Sequence, residues 1–319
     1  MRIGININYS AGGGRSATID QLIERVADIA EAGFSTVAFA QLAGVDALTV
    51  IALAGRTVPD IELETAVVPI YGRHPVVMAQ QALTAQAATG GRLLLGIGLS
   101  HRPAVEGRWG LSFERPVEYM QEYLAVLLPL LRGEAVAYSG KRLKTNVQLA
   151  VAETPAPPVV LAALGERMLR LAGELTDGTA LWLVGPRTLG AHIRPLITEA
   201  ARNAGRADPR ILVGLPVCVT SDATAARERA ARSMAGYNQL PSYRAMLDRE
   251  GAGGPADVMI VGSEEEVERQ LTRLEEAGAS DFTAMPVGSH DEQQRTLDFL
   301  RELVRQQRLR VPDGRSTTV

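Results

Sequence analysis

One stretch of this chain, residues 62 to 102, constrains its fold more than any other. It contains an apolar strand (Glu62–Val68), a loop, a helix that begins at Pro75 and ends at Gly90, and a second apolar strand (Leu93–Ile97). A strand, a helix and a strand joined by short loops form a βαβ unit, so the two strands should be parallel and adjacent. Polar and aromatic residues follow the strand ends, which is where ligand sites form in parallel α/β proteins.

The same alternation of strand and helix continues along the chain. Eight segments are predicted strands: Arg2–Asn8, Thr36–Phe39, Glu62–Val68, Leu93–Ile97, Val159–Ala162, Thr179–Val184, Ile211–Val219 and Asp281–Val287. Eight such units close into a (β/α)8 TIM barrel, and an open doubly wound sheet is the alternative. We predict one domain over residues 1–307 and a polar tail over 308–319.

An insertion follows the fourth strand, at about residues 99–158. Its sequence predicts a helix with Pro116 in the first turn, then a hairpin of Ala135–Tyr138 and Val147–Val151. A triplet of glycines, Gly12–Gly14, predicts a mobile loop after the first strand. No GK[ST] motif follows this triplet, so we do not interpret it as a phosphate-binding loop.

Composition excludes several classes of partner. The net charge is −3 and no basic stripe occurs, which argues against nucleic acid. No run of 18 apolar residues occurs, which argues against a membrane span. The first residues lead directly into a strand without a signal sequence, so we expect a cytoplasmic protein, and we expect a homodimer. The single cysteine, Cys218, lies in an apolar run and is interpreted as a buried structural thiol.

His101 is the leading candidate for acid–base chemistry. It follows the fourth strand by four residues, and Glu106 comes shortly after it. An imidazole there could donate a proton near neutral pH. His74, before Pro75, is predicted to order its loop and to cap a helix. No two histidines have i,i+4 spacing, so no metal site is predicted.

Several joints between strands and helices could bind a cofactor. Gly98 and Ser100 follow the fourth strand, although Gly96-x-Gly98 lacks a third glycine and no helix is predicted to open at once, which argues against a dinucleotide fingerprint. Backbone amides at a helix start suit a phosphate. Two joints have this form, and ordinary turns remain the alternative for both: Ala162, Ala163, Leu164 and Gly165, then Gly185 to Thr188 with Arg187 as an added cation. Possible pocket walls are Tyr71, Trp109, Trp182 and Tyr243.

Motifs along nearly the whole chain resemble the luciferase-like monooxygenase superfamily, and specifically its oxidoreductases that depend on the deazaflavin coenzyme F420. The matching motifs are Thr65–Pro69, Arg73–Pro75, Gly90–Gly98, Pro158–Gly165 and Ala172–Gly178. The resemblance implies a luciferase-like barrel that transfers hydride between F420 and a small-molecule substrate. It also implies a cis peptide bond between Ala66 and Val67 against the cofactor ring, and a phosphate-bearing tail held at Ala162–Gly165.

One departure from the family concerns Gln41. The best-known deazaflavin dehydrogenases have an Asp-His pair at about this place, whereas this chain has Ala40-Gln41-Leu42. We therefore expect reduction of an activated C=C or C=N bond, not oxidation of an alcohol. Gln41 would orient the ring or the substrate, and His101, supported by Glu106, would deliver the proton.

Three other functions remain open at this point. An FMN-dependent monooxygenase of the same superfamily would use the same fold. A flavin- or deazaflavin-binding protein without turnover would explain the missing Asp-His pair. A lyase or isomerase built on a barrel would use only the phosphate-binding joints.

Overall fold

Eight parallel strands form a closed barrel. The computed structural model describes residues 1–7, 17–41, 43–151 and 154–310. Its strands are β1 (Arg2–Ile7), β2 (Thr36–Phe39), β3 (Glu62–Thr65), β4 (Val68–Pro69), β5 (Leu93–Gly98), β6 (Val136–Ser139), β7 (Lys144–Val147), β8 (Val159–Ala162), β9 (Gly178–Trp182), β10 (Arg210–Val219), β11 (Ile260–Gly262) and β12 (Asp281–Pro286). The ring runs β1-β2-β3-β5-β8-β9-β10-β12 and closes where β12 pairs with β1. The barrel prediction is therefore confirmed.

Helices connect the strands. They are α1 (Ile19–Glu31), α2 (Ala47–Thr57), α3 (Pro75–Ala88), α4 (Arg102–Trp109), α5 (Pro116–Leu131), α6 (Glu166–Leu175), α7 (Pro186–Thr188), α8 (Arg194–Asn203), α9 (Ala223–Ser233), α10 (Pro241–Glu250), α11 (Glu264–Ala277) and α12 (His290–Arg310). A π-helical turn (Leu189–Ile193) joins α7 to α8, and two 3₁₀ turns (Ala235–Gln239 and Pro255–Val258) flank α10. No helix among these described residues is both long and apolar enough to span a membrane.

Helix starts are set by local side chains. Ser263 and Glu266 form a reciprocal capping box at α11, and the Asp46 carboxylate accepts the Thr49 amide at α2. Each cap satisfies a backbone amide that has no partner inside the helix, and is worth about 1 kcal/mol. The ring of His74 accepts the Val76 amide at the start of α3. The predicted capping role of His74 is confirmed.

Two apolar cores are separated by the barrel wall. Strand residues that face the helices join a large buried cluster, which includes Leu93, Leu95 and Val159. The residues that alternate with them, Leu94 and Val160, form a small second cluster with Leu212 and the partly buried Ala180. Because successive side chains point to opposite faces of a strand, the small cluster fills the barrel interior.

An ion cluster closes the amino-terminal end of the barrel. Arg210 donates to Glu62 at 2.8 and 3.0 Å and to Asp281 at 2.7 Å, and Arg2 pairs with the same two carboxylates. These four residues are the first of β1, β3, β10 and β12, so the cluster ties together strands distant in sequence. The opposite, carboxyl-terminal end is left for a ligand site.

The insertion between β5 and β8 holds α4, α5 and the antiparallel hairpin of β6 and β7. The second hairpin strand is Lys144–Val147, not the predicted Val147–Val151. The reason is a tertiary contact, because the Glu122 carboxylate accepts the amides of Lys141, Arg142 and Leu143 and sets a tight turn there.

Other boundaries also differ from the predictions. The third barrel strand is interrupted at Ala66–Val67, and Pro69 belongs to β4 instead of ending the strand. Helix α4 begins directly after His101, and the three-residue β11 pairs with the end of β10; neither was predicted. Helix α12 continues to Arg310, past the predicted limit at 307. The glycine triplet and residues 311–319 lie outside the described part of the chain.

Glu64 is a buried carboxyl in the barrel wall. It is 1 % exposed, and its Oε2 has no hydrogen-bond partner among the described residues. Burial, with added repulsion from Glu62 and Asp281, raises its pKa from 4.5 to about 8, against the opposing effect of Arg210 and Arg2. The side chain is therefore protonated at neutral pH in the folded protein.

We expect Glu64→Gln to change the pH dependence of stability. Between pH 4.5 and 8 the unfolded chain loses a proton that the folded protein keeps, so folding stability falls as the pH rises. The slope from this group is at most about 1.4 kcal/mol per pH unit, and glutamine removes it. Urea unfolding of both proteins at pH 5 and pH 8 measures the effect. Parallel profiles for the two proteins would contradict the assignment.

Candidate functional site

The carboxyl-terminal ends of the third and fourth barrel strands meet around Val67. The peptide bond between Ala66 and Val67 is cis, which confirms the predicted bond. A Cβ placed on Gly98 would lie 2.7 Å from Val67 Cγ2 and 3.0 Å from Ala162 Cβ. Both distances are shorter than ordinary contacts, so only glycine fits here. The structure thus brings together four predicted cofactor residues, Ala66, Val67, Gly98 and Ala162.

Hydrogen bonds between Thr65 and Gly96 hold β3 and β5 together next to this junction. The Thr65 hydroxyl donates to the Gly96 carbonyl at 2.7 Å and accepts from the Gly96 amide at 2.8 Å. Both residues are buried, so these bonds replace the ladder interrupted at this point. The result is a preformed surface at the barrel mouth.

Two residues just past the ends of barrel strands have left-handed backbone conformations. Ser100 has φ 59° and follows β5, and Leu183 has φ 56° and follows β9. Such angles are unfavourable for residues other than glycine, and they concentrate at ligand sites. Ser100 was a predicted cofactor residue, while Leu183 was not, since nothing in its local sequence signals positive φ.

The joint at Ala162–Gly165 leads into α6. Gly165 is the N-cap of this helix, it is exposed, and a Cβ on it would meet no atom within 4 Å. His192, for which the sequence predicted no role, contacts the Leu164 carbonyl through Nε2 at 3.2 Å and supports the joint. The first amides of α6 therefore remain open to an anion, as a phosphate site requires.

The second joint, at Gly185–Thr188, is already filled by a carboxylate of the chain. Glu250 accepts the Arg187 amide at 3.1 Å and the Thr188 amide at 2.7 Å. A Cβ on Gly185 would lie 2.4 Å from that carboxylate. Two of the amides that were predicted to bind a phosphate therefore already have a partner. The positive end of the helix takes an anion, but the anion comes from α10.

His101 lies at the N-cap of α4 and is partly buried. Its ring contacts Tyr243 edge-on, with centroids 5.6 Å apart, and Tyr243 in turn contacts Tyr237 at 4.8 Å. Burial lowers the pKa of His101 below its usual 6.5. The imidazole is consequently neutral at neutral pH. It can act as a proton donor only in its protonated form, which becomes more abundant as the pH falls.

Glu106 does not support His101. It is exposed, and its carboxylate pairs with Arg102 at 2.6 Å, one turn earlier on α4. Its negative charge acts on the Tyr71 phenol and raises the pKa of that group slightly, after the larger effect of burial. The predicted partnership is corrected because residues five apart on a helix do not share a face, whereas residues four apart do.

Gln41 is half-buried at the end of β2. Its side-chain carbonyl accepts the Ala47 amide at 3.1 Å, at the start of α2. This bond holds the amide group near the barrel mouth and leaves its NH2 as the donor that can face a ligand.

The predicted aromatic walls have different neighbours. Tyr243 lies against His101. Trp182 packs beside Gly214 of β10. Tyr71 packs against Phe113 and Tyr119. Trp109 is 39 % exposed and is not a pocket wall in this conformation.

Two buried hydrogen-bond donors past β4 have no partner in the described part of the protein, the Tyr71 hydroxyl and Arg73 Nη1. The other terminal nitrogen of Arg73 pairs with Asp46. Buried donors are nearly always paired, so these two are suited to acceptors on a ligand or an ordered water.

Metal and thiol chemistry find no support in the described residues. They contain no group of three His, Cys, Asp or Glu side chains placed to hold a metal ion. Cys218 is buried, and burial raises its pKa to about 11. It is therefore a thiol at neutral pH and a poor nucleophile, as the sequence suggested.

A parallel barrel with its open amides, strained residues and unpaired donors at the carboxyl ends of the strands has the architecture of a barrel enzyme. The chain belongs to the luciferase-like monooxygenase family, whose model matches residues 1–305.

Three similar proteins illustrate which coenzymes occur among the relatives and structural neighbours of this chain. A protein of Mycobacterium tuberculosis, named as a coenzyme F420-dependent oxidoreductase, is 29% identical over 303 residues, covering 89% of this chain and 84% of its own. The F420-dependent tetrahydromethanopterin reductase of Methanopyrus kandleri superposes with a TM-score of 0.75 at 19% identity, covering 94% and 97% of the two chains. An FMN complex of a Baeyer–Villiger monooxygenase from Pseudomonas putida gives 0.73 at 20% identity, covering 95% and 98%. The two structural likenesses establish the fold.

We expect Gly98→Ala to destabilise the protein by about 1–3 kcal/mol, because the new methyl group has no room beside Val67 and Ala162. Gly236→Ala is the matched control, since a Cβ there meets nothing within 4 Å. Urea unfolding measures both. Equal stability of the two variants would show that the junction can open without cost.

Proposed function

We propose that this protein is an F420-dependent oxidoreductase that transfers a hydride between the reduced deazaflavin and a small organic substrate. The observation that carries the proposal is the surface formed by Val67, Gly98 and Ala162 at the mouth of a luciferase-like barrel. The name of the M. tuberculosis relative supports F420 as the coenzyme. Reduction of an activated C=C or C=N bond is the direction we favour.

The residues present suit such a coenzyme. The ring would lie against Val67, and the NH2 of Gln41 and Arg73 Nη1, which lacks a partner among the described residues, suit the many acceptors of a deazaflavin. The open amides at the start of α6 suit its phosphate. Since the α7 start is closed by Glu250, we assign the phosphate to Gly165 and the residues after it.

A bound deazaflavin supplies hydride chemistry without the oxygen reactivity of a flavin. The protein must therefore orient the substrate, exclude water and supply one proton. Apolar and aromatic side chains around Tyr243 exclude water near His101. His101 is the proton donor that we propose, in its protonated form.

The rival function is an FMN-dependent monooxygenase. The FMN-bound neighbour has the same barrel, which keeps this rival open. The two coenzymes differ in the length of their tails, because F420 continues beyond its phosphate and FMN ends there.

We also propose that the enzyme is a cytoplasmic homodimer. The outer faces of α2 and α3 carry exposed Leu53 and Val77, and α3 contains no charged residue along its length. A helix with so little charge on its exposed side is suited to a second copy of the chain.

Titration of the purified protein with F420 and with FMN tests the assignment. We expect F420 to bind at least tenfold more tightly, which corresponds to about 1.4 kcal/mol. Fluorescence of the two coenzymes provides the measurement. If FMN binds tenfold more tightly instead, the monooxygenase function replaces our proposal.

We expect turnover in the reductive direction to rise as the pH falls from 7.5 toward 6. The His101 pKa lies below 6.5, so the protonated donor becomes more abundant over that interval. His101→Ala should lower kcat about 10²-fold or more and lose this pH dependence, with little change in coenzyme affinity. A wild-type rate in this variant would make solvent the proton source.

A further inference from the structure

The Tyr71 hydroxyl is a buried donor that the hydride-transfer site does not account for by itself. Tyr71 is 6 % exposed, and its hydroxyl is buried without a partner among the described residues. Burial raises its pKa above the usual 10, so the phenol stays protonated at neutral pH. It can therefore donate one hydrogen bond to a ligand.

Two rings flank this phenol. Phe113 stacks on Tyr71 with centroids 5.5 Å apart, and Tyr119 lies at 5.0 Å with a 38° tilt. They come from the loop after α4 and from α5, so the insertion builds these walls. Rings in such an arrangement favour a flat, conjugated partner.

A cation borders the same group of rings. The Arg142 guanidinium lies 5.9 Å from the centroid of Tyr119, and the arginine is exposed. Among charged groups it has the largest effect on Tyr71, lowering the pKa that burial raises. No carboxylate of the described chain forms an ion pair with Arg142, whereas the nearby Arg102, 5.3 Å from the Phe113 ring, pairs with Glu106.

The turn that carries Arg142 is held in place by Glu122. This carboxylate accepts three consecutive amides, each at 3.0 Å, from Lys141, Arg142 and Leu143. A Cβ on Gly140 would lie 2.3 Å from its Oε2, so the turn closes tightly on the carboxylate. The hairpin therefore presents Arg142 from a fixed backbone, which reduces the entropy lost when a ligand binds.

We propose that Tyr71, Tyr119 and Arg142 form a recognition subsite for the carboxylate of a flat, conjugated substrate. One carboxylate oxygen accepts from Arg142 and the other from the Tyr71 hydroxyl, while the conjugated part packs on Tyr119. The substrate role rests on the proposed function, but binding of the carboxylate does not.

Isothermal titration of the full chain without coenzyme, at pH 7.5, tests the subsite with two probes of one shape. The probes are trans-cinnamate and its neutral amide, trans-cinnamamide. We expect cinnamate to bind about tenfold more tightly, since hydrogen bonds to a charged group are the stronger ones. Arg142→Gln should remove this preference, and Tyr71→Phe should weaken cinnamate binding about fivefold to tenfold.

Lys141→Gln is the matched control, because Lys141 lies in the same turn and its backbone amide binds the same Glu122. It should leave both affinities unchanged. Equal binding of the two probes by the wild-type protein, or an equal loss in the Lys141 and Arg142 variants, overturns the proposal.

A second titration separates the substrate from the coenzyme tail. Arg142→Gln should bind F420 and its core without the phosphate-bearing tail as the wild type does. If the variant loses affinity for F420 but not for the core, the subsite holds the coenzyme tail and the proposal fails. Failure of F420 to bind at all would contradict the proposed function and leave the cinnamate result intact.

Discussion

The rest of the site depends on how closely the backbones of β3 and β5 approach each other. A Cβ on Gly96 would lie 1.9 Å from the Thr65 carbonyl oxygen, so any other residue would force the strands apart. With glycine at 96 and 98, the chain after Thr65 can turn inward and place Val67 beside Ala162. The Thr65 hydroxyl then bonds the Gly96 backbone in place of the interrupted ladder. Without this approach Val67 could not lie so close to Gly98 and Ala162.

The two ends of the barrel carry opposite physical roles. At the amino-terminal end, Arg210 satisfies Glu62 and Asp281, and charges distant in sequence hold four strands together. At the carboxyl-terminal end, Tyr71 and Arg73 have donors without partners among the residues that the structure describes. Unpaired buried donors reduce stability, so their concentration at one end separates the part that supports folding from the part suited to a ligand.

Two helix starts could each accept an anion, and a side chain of the protein occupies one of them. Both α6 and α7 begin after a barrel strand, and both offer backbone amides to an anion. Glu250 closes the α7 start, and its bonds anchor α10, the helix that holds Tyr243 against His101. The α6 start remains open at Gly165. An internal carboxylate thus occupies one of two helix starts that look alike in sequence.

The sequence by itself determined the eight barrel strands, the position of the insertion and most helix starts, because hydrophobic periodicity and capping side chains act between near neighbours. The motif Thr65–Pro69 also located the cis bond through its family resemblance. Only the tertiary structure decided that Glu250 closes α7 and that Glu122 shapes the hairpin turn. It also decided that burial lowers the pKa of His101, whose ring lies against Tyr243. Most of these depend on contacts between residues tens of positions apart, which no local pattern of side chains specifies.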